Sequence, residues 1–267
     1  MPPKAAGTYS LTIEGEQGGA IFSVEAFDPR SIPGLIWWLR ADLGVTTSAG
    51  TVTAWADQSG IGDSGRNAAP RGVDRAAYNT ADPNYNGKAT IGPFTVGPNK
   101  DNGLKTGTWS TSYVGNGTTA FTLGVVGHGG GPSLNAYFTY KTETDYVSLS
   151  NSNDVATAYS GPSSPNLAGG PSLGVGPSFM MVEFNGASSK MFAEQVETPT
   201  LTGALSATST LGAAPQHIGV YGGGPSADIH GVQRMAEVFA YSRVLTAGEK
   251  ARLRKYLNGR YGKAMTG

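Results

Sequence analysis

The sequence predicts an all-β protein, a two-sheet antiparallel jelly-roll sandwich with one short C-terminal helix, and three observations lead there. Glycine fills 40 of 267 positions and charged residues only 14%, a composition that suits many tight turns better than long, salt-bridged helices. Short apolar runs recur along the chain, bounded by Gly, Pro, Asn or Asp, which is the pattern of strands joined by turns. A single window near the C-terminus switches to a helical period. The length suits one such sandwich.

From the beginning, Pro2, Pro3 and the small residues around them read as a flexible arm. Residues 9–14 alternate apolar and polar side chains, Gly18 and Gly19 supply a turn, and residues 21–27 resume the alternation, so a hairpin is expected over residues 8–27. Pro29, Pro33 and Gly34 then break the pattern before the apolar Leu35-Ile36-Trp37-Trp38-Leu39. An arm and hairpin are thus assigned to residues 1–30 and the main domain to residues 31–267. Strands are predicted over residues 52–55, 120–126, 136–140, 146–149, 179–184, 190–193, 216–220 and 235–241.

Gly-Pro-Ser recurs at 131–133, 161–163, 170–172, 176–178 and 224–226. These are not phosphate cradles, because no Lys follows and proline denies the helical start that a P-loop needs. Residues 160–178 are read as an irregular surface loop. At the end, Thr246 and Glu249 have the spacing of a capping box, Leu253, Tyr256, Leu257 and Tyr261 form one apolar stripe, and Gly262 is placed to end the helix. Arg252, Arg254, Lys255 and Arg260 cover the other face, either solvated or open to an acidic partner.

Lys plus Arg equals Asp plus Glu at 19 each, so no global field draws the chain to nucleic acid or to a membrane. Cysteine is absent, which excludes disulfides and thiolate chemistry. The start lacks a secretory signal pattern and no run is long enough to span a bilayer, so synthesis in the cytoplasm is expected. Asn116-Gly117-Thr118 reads as a turn.

Three segments carry a resemblance to a known family. They are Ile32 to Asp42 followed by Gly50 to Gly60 with its Trp55-Ala56-Asp57-Gln58-Ser59-Gly60 turn; Met180 to Gly186 with Ser189 to Ala193; and Met235 to Thr246, which contains Glu237-Val238 and Tyr241-Ser242-Arg243-Val244-Leu245-Thr246. Together they resemble the concanavalin A-like, laminin-G-like jelly-roll domains found in tailed-phage virion proteins and bacterial surface proteins. The resemblance implies a non-enzymatic virion protein, a capsid decoration or a head or tail fibre component, docked on capsid or tail subunits through its N-terminal segment. The alternative is a carbohydrate-binding or adhesion module that recognises host surface glycans. Edge strands and a glycine-rich surface also suit self-association.

Fold does not fix function, so sites are sought residue by residue. Glycanases of this architecture carry three carboxylates on one strand; Glu143-Thr144-Asp145-Tyr146-Val147-Ser148 lacks the third, and with it a proton donor. His128, His217 and His230 have no zinc spacing. Catalytic residues are therefore not assigned. Asp57, Ser59 and Asp63 offer oxygens to calcium, the one cofactor considered, although Asp57-Gln58-Ser59-Gly60 is also a good Asx-turn. Trp109, Tyr113 and Tyr221 lie in turn-rich surroundings and are the candidates for stacking on a sugar, whereas Trp37, Trp38 and Trp55 lie in strands and are assigned to the core.

Overall fold

The computed structural model describes residues 27–94, 96–97, 100–115, 118–128, 134–141, 146–152, 155–160, 166–172, 177–205, 210–219, 229–231 and 234–264. Most of the expected N-terminal hairpin lies outside them. Two large sheets face each other. In the first, the order is Leu201–Gly203, Ser189–Ala193, Ser178–Phe184, Phe121–His128, Arg234–Tyr241, Lys88–Ile91 and Tyr78–Asp82, with Leu35–Arg40 also paired to Arg234–Tyr241. In the second, it is Asn166–Ser172, Val155–Ser160, Tyr146–Ser152, Leu134–Lys141, Gln216–Ile218, Leu104–Thr106, Ala68–Pro70, Thr51–Trp55 and Val45–Ser48. Pairing is antiparallel throughout both paths, and the short Ile229–Gly231 strand adds one parallel pairing to Leu134–Lys141. The chain is a β-sandwich.

Alternation explains how the layers form. Leu123 and Val125 of the central Phe121–His128 strand join Trp37, Trp55, Phe138, Leu149 and Val238 between the sheets, while Val126 joins a second cluster on the other side of the first sheet. Trp37 and Trp38, adjacent in sequence, are both buried on opposite faces. Gly124 sits opposite Phe239, whose ring would come within 2.2 Å of any Cβ added there. A bare glycine thus lets the aromatic lie flat on the sheet.

The helix Ala247–Tyr261 closes this second cluster. Its capping box forms as expected: Glu249 N donates to Thr246 Oγ1 (3.3 Å) and Thr246 N to Glu249 Oε2 (2.9 Å). Gly262 ends it at φ 66. Leu253, Leu257 and Tyr261 are buried against Trp38, Phe179, Phe239 and Tyr241. Arg260 departs from the expected solvent face, because its Nη2 pairs with Asp42 at 2.5 Å and its side chain is 12% exposed. Lys250 also turns inward, donating to Glu183 Oε1 at 2.8 Å.

Glu237 is fully buried beneath the helix. It accepts from Trp38 Nε1 (2.5 Å), Tyr256 Oη (3.0 Å) and Tyr261 Oη (2.6 Å). Burial pushes its carboxyl above the usual range, against the pull of Arg260, Tyr261 and Trp38. Glu249 goes the other way, down to about 2, chiefly through its hydrogen bonds from Arg243. The signs differ accordingly. Glu249 stabilises the fold above the unfolded carboxyl value of about 4.3, and that contribution is lost as pH falls toward about 2. For Glu237 the folded state holds the proton more tightly, so its contribution is present below about pH 4.3 and lost as pH rises through the elevated value. Thermal midpoints should therefore depend less on acid in Glu249→Gln and less on rising pH in Glu237→Gln than in the wild type. Unchanged slopes would contradict both assignments.

One sequence expectation is corrected in the second sheet. Residues 160–178 are not a continuous irregular loop, since Asn166–Ser172 is an edge strand paired to Val155–Ser160. An edge tolerates Pro171, which has no N–H to give to a ladder.

Candidate functional site

The residues singled out from sequence gather mainly in a structural clasp. Arg66 is 1% exposed. Its Nε donates to Asp63 Oδ2 at 3.2 Å and its Nη1 to the Ile36 carbonyl. Its guanidinium stands 4.6 Å from the Trp109 ring centroid and 5.9 Å from that of Tyr113. Asp63 Oδ1 accepts from Gly65 N, while Oδ2 also takes the amide (2.9 Å) and hydroxyl (3.0 Å) of Ser110. The segments around residues 57–67 and 107–113 are thereby locked together.

This arrangement corrects the stacking expectation for Trp109. The ring is 5% exposed, tilted against Trp37 at 5.3 Å, and packed so closely on Gly212 that a Cβ there would come within 2.6 Å. A sugar cannot reach a face that the core already covers. Tyr113 is half-buried and edge-on to Trp109 at 6.4 Å. Tyr221 lies outside the described residues, as do Glu143 and Asp145.

The oxygens considered for calcium also have protein partners. Asp57 Oδ1 accepts the amides of Trp38 (2.8 Å) and Ser59 (3.1 Å), and Oδ2 takes the Ser59 hydroxyl (2.5 Å). This is the Asx-turn, used to fasten the loop to the Leu35–Arg40 strand. Asp63 serves Arg66 and Ser110 instead. Among the described residues no group of three or more His, Asp or Glu side chains comes together in a manner suited to a metal.

A different polar surface emerges from the register of the second sheet. Lys105 pairs with His217, His217 with Thr139 and Thr139 with Ser148, making one row across four strands. Ser150 and Thr157 pair alongside it. Their sequence neighbours Leu104, Phe138, Leu149 and Ala158 face the inter-sheet core, so alternation sends this whole set outward. Lys105 is exposed and His217 half-buried, whereas Thr139, Ser148, Ser150 and Thr157 are at most 2% exposed. The hydroxyls of Ser148 and Ser150 have no hydrogen-bond partner. An outer face that was merely solvated would leave these small side chains wet. Instead the row runs from exposed Lys105 and half-buried His217 to buried hydroxyls, of which those of Ser148 and Ser150 are unpartnered. The alternation in Val147-Ser148-Leu149-Ser150 was the only sequence signal for it.

No protein-family model matches the sequence, and no curated protein matches it. Solved structures share the fold. Trypanosoma rangeli sialidase in complex with sialic acid superposes with a TM-score of 0.55 at 13% identity, covering 89% of this chain and 34% of that one. The binding domain of botulinum neurotoxin serotype G gives 0.56 at 9% identity, covering 82% and 50%. Domain 4 of AbnA, an extracellular GH43 arabinanase from Geobacillus stearothermophilus, in complex with arabinotriose, gives 0.51 at 14% identity, covering 82% and 98%. At these identities the sandwich is what is shared. The chain spans about a third of the sialidase's length.

Proposed function

We propose that the chain is a non-catalytic carbohydrate-binding module whose ligand surface is the outer polar face of the second sheet. The observation that carries this reading is the polar row that crosses four strands of this sheet and is exposed at Lys105 and half-buried at His217. Sugars present many hydroxyls that both donate and accept, which suits a polar row of this kind. None of the described side chains placed on this face is a carboxylate, which supports binding over hydrolysis. The likeness to an arabinanase domain that holds arabinotriose, with 98% of that domain covered, adds support. The virion setting implied by the sequence resemblance is a further proposal about where such a module works, with docking through residues 1–30.

Titration calorimetry of the full chain against arabinan, galactan and acidic polysaccharides tests the reading. The substitution Lys105→Ala should leave the thermal midpoint nearly unchanged, since the side chain is exposed. Affinity for the bound polysaccharide should fall about 2- to 12-fold for each hydrogen bond lost. Failure of the wild type to bind any of these polysaccharides, or undiminished affinity in Lys105→Ala, would overturn it.

A further inference from the structure

The helix Ala247–Tyr261 carries five cations, and carboxylates account for three of them. Lys250 pairs with Glu183 at 2.8 Å, Arg254 with Glu197 at 2.9 Å and Arg260 with Asp42 at 2.5 Å. Among the described residues no carboxylate pairs with Arg252 or Lys255, and both are exposed on the helix's outer face. They border an open depression of about 650 Å³ that Ala251, Arg254, Asn258 and Gly259 also line. A Cβ added at Gly259 would meet nothing within 4 Å. Like charges three positions apart on a helix repel each other, so this bare face favours an acidic cover.

The chain itself leads onto that face. Phe27 packs on Tyr256 with ring centroids 5.6 Å apart, and the Arg252 guanidinium stands 5.8 Å from the Phe27 centroid. Residues 5–26, which precede it, contain Glu14, Glu16 and Glu25 and neither Lys nor Arg. The alternation predicted over residues 21–27 puts Glu25 and Phe27 on one face of a strand. Two residues of strand cover about 6.6 Å, close to the roughly 5–6 Å between helix positions i and i+3. With Phe27 resting on Arg252 and Tyr256, one such step reaches Lys255. A two-stranded hairpin is at best marginally stable alone, and the one predicted over residues 8–27 has Leu11, Ile13, Phe22 and Val24 to cover. The methylene stems of Arg252, Arg254 and Lys255 supply apolar surface beneath their charged heads.

We propose that residues 8–26 fold back over the outer face of the helix, with Glu25 set against Lys255 and Arg252, so that the helix lies between this segment and the first sheet. The occupant is a segment of the same chain because Phe27 already seats the end of that segment on the helix and its charge is opposite to that of the face. The inference stands apart from the module reading.

Carbodiimide cross-linking of an equal mixture of unlabelled and isotopically labelled full chains tests it. Lys255 Nζ should form an amide with Glu25, found by mass spectrometry in products of a single isotope. Products of mixed isotope would mean that a second copy supplies the segment, and absence of the Lys255–Glu25 amide would place the segment elsewhere; either result overturns the inference. Acetylation of Lys255, measured against exposed Lys105 of the second sheet in the same sample, is the second readout. Glu14→Gln, Glu16→Gln and Glu25→Gln together should speed acetylation of Lys255 about 2- to 5-fold, the protection expected from an exposed ion pair, and leave Lys105 unchanged. An unchanged rate at Lys255 would also overturn it.

Discussion

Glu183→Ala should lower the unfolding free energy by about 3–5 kcal/mol, the loss expected when one partner of a buried ion pair is removed. Glu183 is 1% exposed, and Lys250 Nζ, 2.8 Å from its Oε1, also sits 4.5 Å from the Phe192 ring centroid. Without the carboxylate the ammonium is held against apolar surface with no counter-charge. The matching double variant, Glu183→Leu with Lys250→Met, removes both charges together and should come back to within about 1 kcal/mol of the wild type or exceed it. Urea denaturation of the three proteins checks this. Equal losses in the single and double variants would mean that side-chain packing, not charge, fastens the helix at this point.

Trp109→Ala should cost about 3–5 kcal/mol, in the range for a large aromatic removed from a core. The indole is packed between Trp37 and the Arg66 guanidinium, so truncation opens a cavity and strips Arg66 of its closest ring. Trp109→Phe keeps an aromatic surface and should lose much less. The same denaturation series, run beside polysaccharide titrations, separates the two roles considered for this residue. Stability lost with glycan affinity intact in Trp109→Phe is the expected pattern; affinity lost at unchanged stability would return the residue to the ligand surface.

How far the sequence could be read depended on whether a feature was local. The capping box at Thr246 and Glu249, the stop at Gly262 and the opposite faces of Trp37 and Trp38 all follow from spacing within a few residues, and the structure has them. Burial of Trp109 does not. Its neighbours Gly107, Ser110 and Thr111 look like a surface turn, and what covers the ring comes from Trp37, Arg66 and Gly212, all remote in sequence. The inward turn of Arg260 likewise requires Asp42 from the far end of the domain. In Asn166–Ser172 the glycines and Pro171 hid a strand, because loop composition is also edge composition; at Gly170 an added Cβ would come within 2.9 Å of the Ala156 Cβ. The outward row through Thr139 and Ser148 was written in the alternation, but serine and threonine on an outer face ordinarily signal nothing more than contact with water.

The helix layer has a consequence for how the molecule can be held. Phe27, the first described residue, packs on Tyr256 of the helix at 5.6 Å, and Lys263, just beyond the helix, pairs with Glu194 behind the first sheet. The first and last parts of the described chain, at Phe27 and Lys263, therefore lie on the same side of the first sheet. A support coupled at position 263 would stand behind the first sheet and leave the second sheet's outer face pointing away from it. Copies coupled through that position would all display the second sheet in one direction.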